Sequence, residues 1–245
     1  MMTTEPMALL AGAVALVALL YSSVGHAGAS GYIAVMALFG LTPVAIKPTA
    51  LVLNIAVACL GSYRFWRAGY LQWRLWWPFA VTAMPCAFLG GYVNLPPPIF
   101  KVLVGVVLLW SAARFFIRPP EDTEPRGPSL AVSLPTGAGL GLLAGLTGTG
   151  GGIFLTPLML FRHWGRTRNV AAVSVLFILV NSVAGLLGNI GSTRQLPVVA
   201  LPLLVAAMAG GAIGSYLGCR RFPPVLIKRL LAVVLTVAGL KLILV

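Results

Sequence analysis

Acidic residues are nearly missing from this sequence: four in 245 positions, against 17 Lys and Arg, and none of the four falls in an apolar stretch. Glu5 stands in the leader, and Glu121, Asp122 and Glu124 share one hydrophilic segment. This excludes an intramembrane carboxylate as a proton or sodium relay. It also removes the carboxylate pair of general acid–base chemistry. Two histidines and three scattered cysteines supply no metal cluster and no nucleophile with its base, so neither an enzyme nor a bound metal or cofactor is expected. Cys59, Cys86 and Cys219 lie in separate apolar stretches and read as core packing. Charge is scarce altogether, 9% of residues against 59% hydrophobic, too little to cover a soluble domain of this length.

What is present fits a lipid solvent. Mean hydropathy is +0.99, and the 28 glycines suit helices whose backbones approach closely in a bilayer. The formal charge of +13 sits in short clusters between apolar runs, which marks topology and not a nucleic-acid surface. A span needs about 20 apolar residues, and eight segments qualify: 7–24, 47–64, 75–93, 99–117, 129–146, 170–190, 196–217 and 225–245. The first has Glu5 and no Lys or Arg ahead of it, so it reads as a retained span, not a cleaved signal. Two shorter apolar pieces, 32–41 and 153–161, each follow a glycine-rich break.

The segment 119–128 (PPEDTEPRGP) holds four prolines and cannot be membrane helix. It divides the chain into a first membrane repeat (1–118), a linker (119–128) and a second membrane repeat (129–245). At a shift of 120, Gly25 to Gly31 lies on Gly145 to Gly151; at a shift of 127, Pro96, Pro97 and Lys101 lie on Pro223, Pro224 and Lys228, and Asn54 lies on Asn181. If each half is a broken hairpin plus three spans, the halves are inverted. The cytoplasm then receives Arg64, Arg67, Arg74, Arg114, Arg118, Arg126, Arg162, Arg166, Arg168, Arg220, Arg221, Lys228 and Arg229, and the outside keeps Lys47, Lys101, Arg194 and Lys241. Counting each hairpin as one span instead gives 8 against 9, so the positive-inside rule selects the inverted arrangement, 13 against 4, with both termini and Lys47 outside. The expected fold is an all-α polytopic membrane protein of 8 to 10 membrane segments in two inverted repeats.

A helix broken inside a membrane frees N–H and C=O groups that lipid cannot satisfy, so a break is tolerated only where protein or a wet cavity supplies partners. Gly148, Thr149, Gly150, Gly151 and Gly152 open directly into the segment from Ile153 and present N–H groups at a helix N-terminus, a natural anion site. The first break, with Gly25, His26, Gly28, Ser30 and Gly31, contains the one histidine of the apolar stretches, a candidate anion donor or proton carrier or else a packing residue. Asn54 and Asn181 serve substrate or helix packing. Lys47 opens the helix of Asn54, where a snorkelling interfacial lysine is the competing account, and its mate by the shift of 127 is Ser174. These fourteen residues form the candidate substrate site. Close packing through small residues is the competing reading of the glycines, and no Gly-Lys-Ser/Thr closes a P-loop.

The run GLTGTGGGIFLTP from Gly145 to Pro157, with its weaker copy at Gly25 to Ile33, resembles the signature of the TauE/SafE sulfite exporter family. The resemblance covers essentially the whole chain. It implies movement of sulfite or small organosulfur anions such as sulfoacetate across the bacterial cytoplasmic (inner) membrane. Where family members carry a fuller glycine run in the first half, this chain has His26, Ala27, Ala29 and Ser30. The expected partners are a small anion and the lipid bilayer, with no nucleic acid; the sequence leaves self-association into a homo-oligomer open. The competing functions are an anion channel and a membrane scaffold without transport.

Overall fold

The computed structural model describes residues 4–93, 126–196 and 200–220 continuously, and single positions within 99–117 and 223–240. The continuous stretches fold into eight helices: α1 (Thr4–Ser22), α2 (Ala29–Leu38), α3 (Pro43–Arg67), α4 (Trp73–Tyr92), α5 (Leu130–Thr147), α6 (Gly152–Phe161), α7 (Thr167–Thr193) and α8 (Leu201–Arg220). The order long, short, long, long thus occurs twice. Five helices, α1, α3, α5, α7 and α8, are long and apolar enough to cross a membrane, while α2 and α6 are short and apolar. Helix α4 matches the five in length, but Trp73, Trp76, Trp77, Pro78 and Pro85 lower its hydropathy. The expected spans 99–117 and 225–245, linker residues 119–125, Lys101, Lys228 and nearly all of the matched proline blocks lie outside the described residues.

Helices α3 and α7 form the centre. They run antiparallel, with Gly61 against Val175 and Asn54 bonded to Ser182. The outer pairs are glycine-stitched. On α5, Gly137, Gly141 and Gly145 recur every fourth residue and lie on the Phe79, Ala83 and Ala87 carbonyls of α4; on α8, Gly210, Gly214 and Gly218 lie in the same way on Ala15, Leu19 and Ser23. The ascending order of contacts makes both pairs parallel. A methyl group at any of these glycines would strike a backbone carbonyl, so the small side chain sets the helix separation. Helix α4 also runs parallel to α7, Leu75 lying near Gly165 and Tyr92 near Gly188 and Gly191.

Away from these seams the helices expose apolar side chains: Leu9 and Leu16 on α1, Trp77, Val81 and Phe88 on α4, Leu142 on α5, Val205 and Ile213 on α8. Together these faces make a surface suited to hydrocarbon. Arg64, Arg67, Arg74, Arg126, Arg162, Arg166 and Arg168 gather at one end of the bundle. There Arg126 N–H donates to the His163 carbonyl, and Arg168 and Asn169 reach Tyr70. The other end holds Arg194 and the start of α3.

Candidate substrate site at two broken helices

Both breaks are built by the same backbone device. In the first, Gly25 has φ 79 and Gly28 φ 109; in the second, Gly148 has φ 72 and Gly151 φ 79. Left-handed geometry costs glycine little and other residues more. Gly148 ends α5, and Gly28 and Gly151 precede α2 and α6. The ends of the short helices also match: Phe39 and Arg162 bond back to Val35 and Leu158, and Gly40 and His163 follow with positive φ. These correspondences run at a shift of 123, which corrects the shift of 120 read from the glycines: Gly25 answers Gly148, His26 answers Thr149, and Gly28 answers Gly151.

Each break leans on the central helix of the other half. A Cβ at Gly25 would run into Ala171 of α7, and one at Gly148 would meet Lys47 Cγ of α3 at 3.1 Å. By contact, then, the counterpart of Lys47 is Ala171, not Ser174. Ser174 instead accepts a 2.7 Å bond from Thr156 Oγ1 and ties α6 to α7. Lys47 does not snorkel. It is 5% exposed, and its ammonium donates to the carbonyls of Gly90, Gly91 and Val93 at 3.1–3.4 Å. That caps the C-terminus of α4, where the helix dipole favours a cation.

The first break is closed by the chain's own side chains. Tyr32 donates to the Ala27 carbonyl at 2.6 Å, and Ser30 donates to Tyr21 Oη at 3.0 Å. His26 is 4% exposed, with Nδ1 3.3 Å from the Val24 carbonyl and its ring edge-on to Tyr21. Gly31 lies in the first turn of α2 against Val17 and Tyr21 of α1. Asn54, fully buried, accepts from the Ala29 N–H at 2.9 Å, taking the first helical donor of α2.

Asn54 also reaches the second break. Its Nδ2 donates to the Thr149 carbonyl at 3.3 Å and to Ser182 Oγ at 3.2 Å. One amide therefore joins both breaks and α7. At the second break Thr149 Oγ1 pairs with Thr147 at 2.8 Å, and no acceptor among the described residues meets the N–H groups from Thr149 to Ile153, nor those of Ala27, Gly28, Ser30 and Gly31 at the first. Where Asn54 caps α2, the equivalent contact at α6 is apolar, since Gly152 abuts the Ile178 side chain. Asn181 is also fully buried, and neither its Oδ1 nor its Nδ2 has a partner among the described residues. Tyr21, Tyr32, Ser182 and Ile178 were not among the candidates; a hydroxyl or tyrosine in an apolar stretch within a turn or two of a break or a buried amide is the signal that points to them.

A pocket of about 240 Å³ opens at the Arg194 end, lined by Thr42, Thr49, Asn189, Thr193 and Gln195 among others. Asn189 stands on α7 about 12 Å along the axis from Asn181, at about 1.5 Å per residue.

Paired broken helices, buried polar groups at the breaks and apolar outer faces define a multi-pass membrane transporter of the discontinuous-helix kind. Residues 10–242 match the sulfite exporter TauE/SafE family, and the chain belongs to that family. It is 45% identical over 177 residues to a probable membrane transporter protein, y4hK, of Sinorhizobium fredii (strain NBRC 101917 / NGR234), covering 70% of this chain and 72% of that one. No solved structure matches.

Proposed function

We propose that this transporter carries a small sulfur oxyanion or organosulfonate across the bacterial cytoplasmic membrane by alternating access, with the anion bound at the breaks. The observation that carries the reading is the bridge made by Asn54. A single buried amide holds Ala29 at one break, Thr149 at the other and Ser182 on α7, so any motion of one half against the other must exchange the bonds to Thr149 and Ser182. Unpartnered N–H groups at the start of α6, reinforced by its dipole, give an anion a place to sit. The pocket at the Arg194 end gives it an approach along α3 and α7.

The halves are read as inverted repeats separated by the linker at 119–128. Helix directions support this: α1 runs parallel to α8 and α5 parallel to α4, while α3 opposes α7, which gives corresponding helices of the two halves opposite directions. Clustering of the described arginines at one end supports a cytoplasmic position for that end. In a background without native cysteines, an impermeant thiol reagent added to intact cells should label Gln195→Cys and spare Arg162→Cys. The reverse pattern would overturn the orientation.

Uptake into proteoliposomes tests the function. Sulfite should enter, and internal unlabelled anion should accelerate exchange. Currents beyond carrier turnover without counterflow would make the protein a channel. No uptake of any sulfur anion would overturn the reading.

A further inference from the structure

Asn181 presents an unusual combination: a carboxamide with a donor and an acceptor, fully buried, both without partners among the described residues. Leaving such a group unsatisfied is costly. Its neighbours locate it. One turn before it, Phe177 lies 3.0 Å from where a Cβ on Gly151 would stand; one turn after it, Gly185 lies against Gly145. On the adjoining strip of α7, Ile178 meets Gly152, and Ser182 lies 2.8 Å from a Cβ position on Gly150. Asn181 therefore lies on α7 at the level of the second break, whose N–H groups lack acceptors.

The chemistry of the two features together is more specific than that of either. The N–H groups from Thr149 to Ile153 and Asn181 Nδ2 can only donate, so they take the oxygens of an oxyanion. Asn181 Oδ1 can only accept, so it requires a ligand with an O–H or N–H of its own. The available positive charge is small. A helix N-terminus carries about half an elementary charge, and Lys47, whose Cγ meets Gly148, turns its ammonium to three carbonyls at the C-terminus of α4, whose negative dipole end offsets part of its charge. A bare dianion would find neither a full counter-charge nor a use for the acceptor.

We infer that the second break selects a monoanion bearing a hydrogen-bond donor, with Asn181 as the residue that reads the donor. A hydrogen-oxyanion or a hydroxylated sulfonate meets this requirement; sulfate and simple alkanesulfonates do not. The inference rests on the transport reading above and adds the chemical class of the substrate.

Matched probes test it in the purified full-length protein at one fixed pH. Isethionate and ethanesulfonate are both monoanions and differ by one hydroxyl, while sulfate is a dianion without a donor. Each is titrated against the ligand-induced rise in Tm. Isethionate should half-saturate at a concentration at least about tenfold below ethanesulfonate, because ethanesulfonate leaves Oδ1 unpaired, and sulfate should be weakest. Asn181→Leu should bring isethionate to the level of ethanesulfonate, and Asn181→Ser should shift it the same way. Equal half-saturation of the two sulfonates in the wild type would overturn the inference, as would a preference that survives in a folded Asn181→Leu protein; in both cases anion binding itself stands. If none of the three shifts Tm, both the anion reading and the inference fall.

Discussion

The two breaks share a backbone and differ in what surrounds it. Both use left-handed glycines before a ten-residue helix, at Gly28 and Gly151. At the first, Asn54, Tyr32 and the Ser30–Tyr21 pair bond within or across the break and pack it shut. At the second, the position equivalent to Asn54 is held by Ile178, so the Gly152 N–H has no such cap, and at the same level of α7 the buried Asn181 amide has no partners among the described residues. A duplicated device can therefore serve two ends. On the proposed reading, one break holds the bundle together and the other keeps polar groups for a ligand.

The sharpest way to break this contrast is to treat the two asparagines alike. Asn54→Leu removes three hydrogen bonds and leaves the Ala29 N–H without an acceptor, so unfolding in detergent should show a loss of about 2–3 kcal/mol. Asn181→Leu removes an amide that has no partners, and its Tm should be unchanged or higher. Equal destabilisation of the two variants would erase the distinction between an amide that joins both breaks and an amide that holds neither.

The glycine seams against which the breaks are set offer a second, smaller contrast. Gly141→Ala on α5 and Gly214→Ala on α8 each push a methyl group into a backbone carbonyl of the neighbouring helix, at a cost of about 1–2 kcal/mol. Gly139→Ala meets nothing within 4 Å and should be neutral or slightly stabilising, since alanine favours helix. Thermal unfolding of the three variants checks the seams that hold both breaks in place.

The smallest effect concerns His26, which occupies in the first break the position of Thr149 in the second. If the first break also serves coupling, His26→Gln should preserve folding and anion exchange but flatten the pH dependence of net transport of an anion that stays fully ionised. An identical profile in the variant leaves the first break with a structural role alone.

The helices were legible in the sequence because a run of about 20 apolar residues has few alternatives. The breaks were legible because glycine runs inside apolar sequence demand an explanation. Their register was not. Matching glycine to glycine aligned Gly25 with Gly145, whereas the left-handed positions align it with Gly148, and conformation rather than identity defines the turn. The shift of 127 paired Asn54 with Asn181, yet contacts pair Asn54 with Ile178, because a slip of about one helical turn keeps the same face. Lys47 illustrates a different gap: its three carbonyl partners lie more than 40 residues away on α4, and no local pattern announces them. The α5 and α8 glycine ridges were present as spacing every fourth residue, but their partner helices are set only by tertiary packing.

On the proposed reading, substrate binds at the second break, at the level of Asn181. Its most direct test is uptake of labelled sulfite into proteoliposomes by Asn181→Leu, with Tm measured on the same preparation. Uptake should fall at least about tenfold while Tm stays at or above the wild-type value. Uptake at the wild-type rate by that stable variant would contradict it.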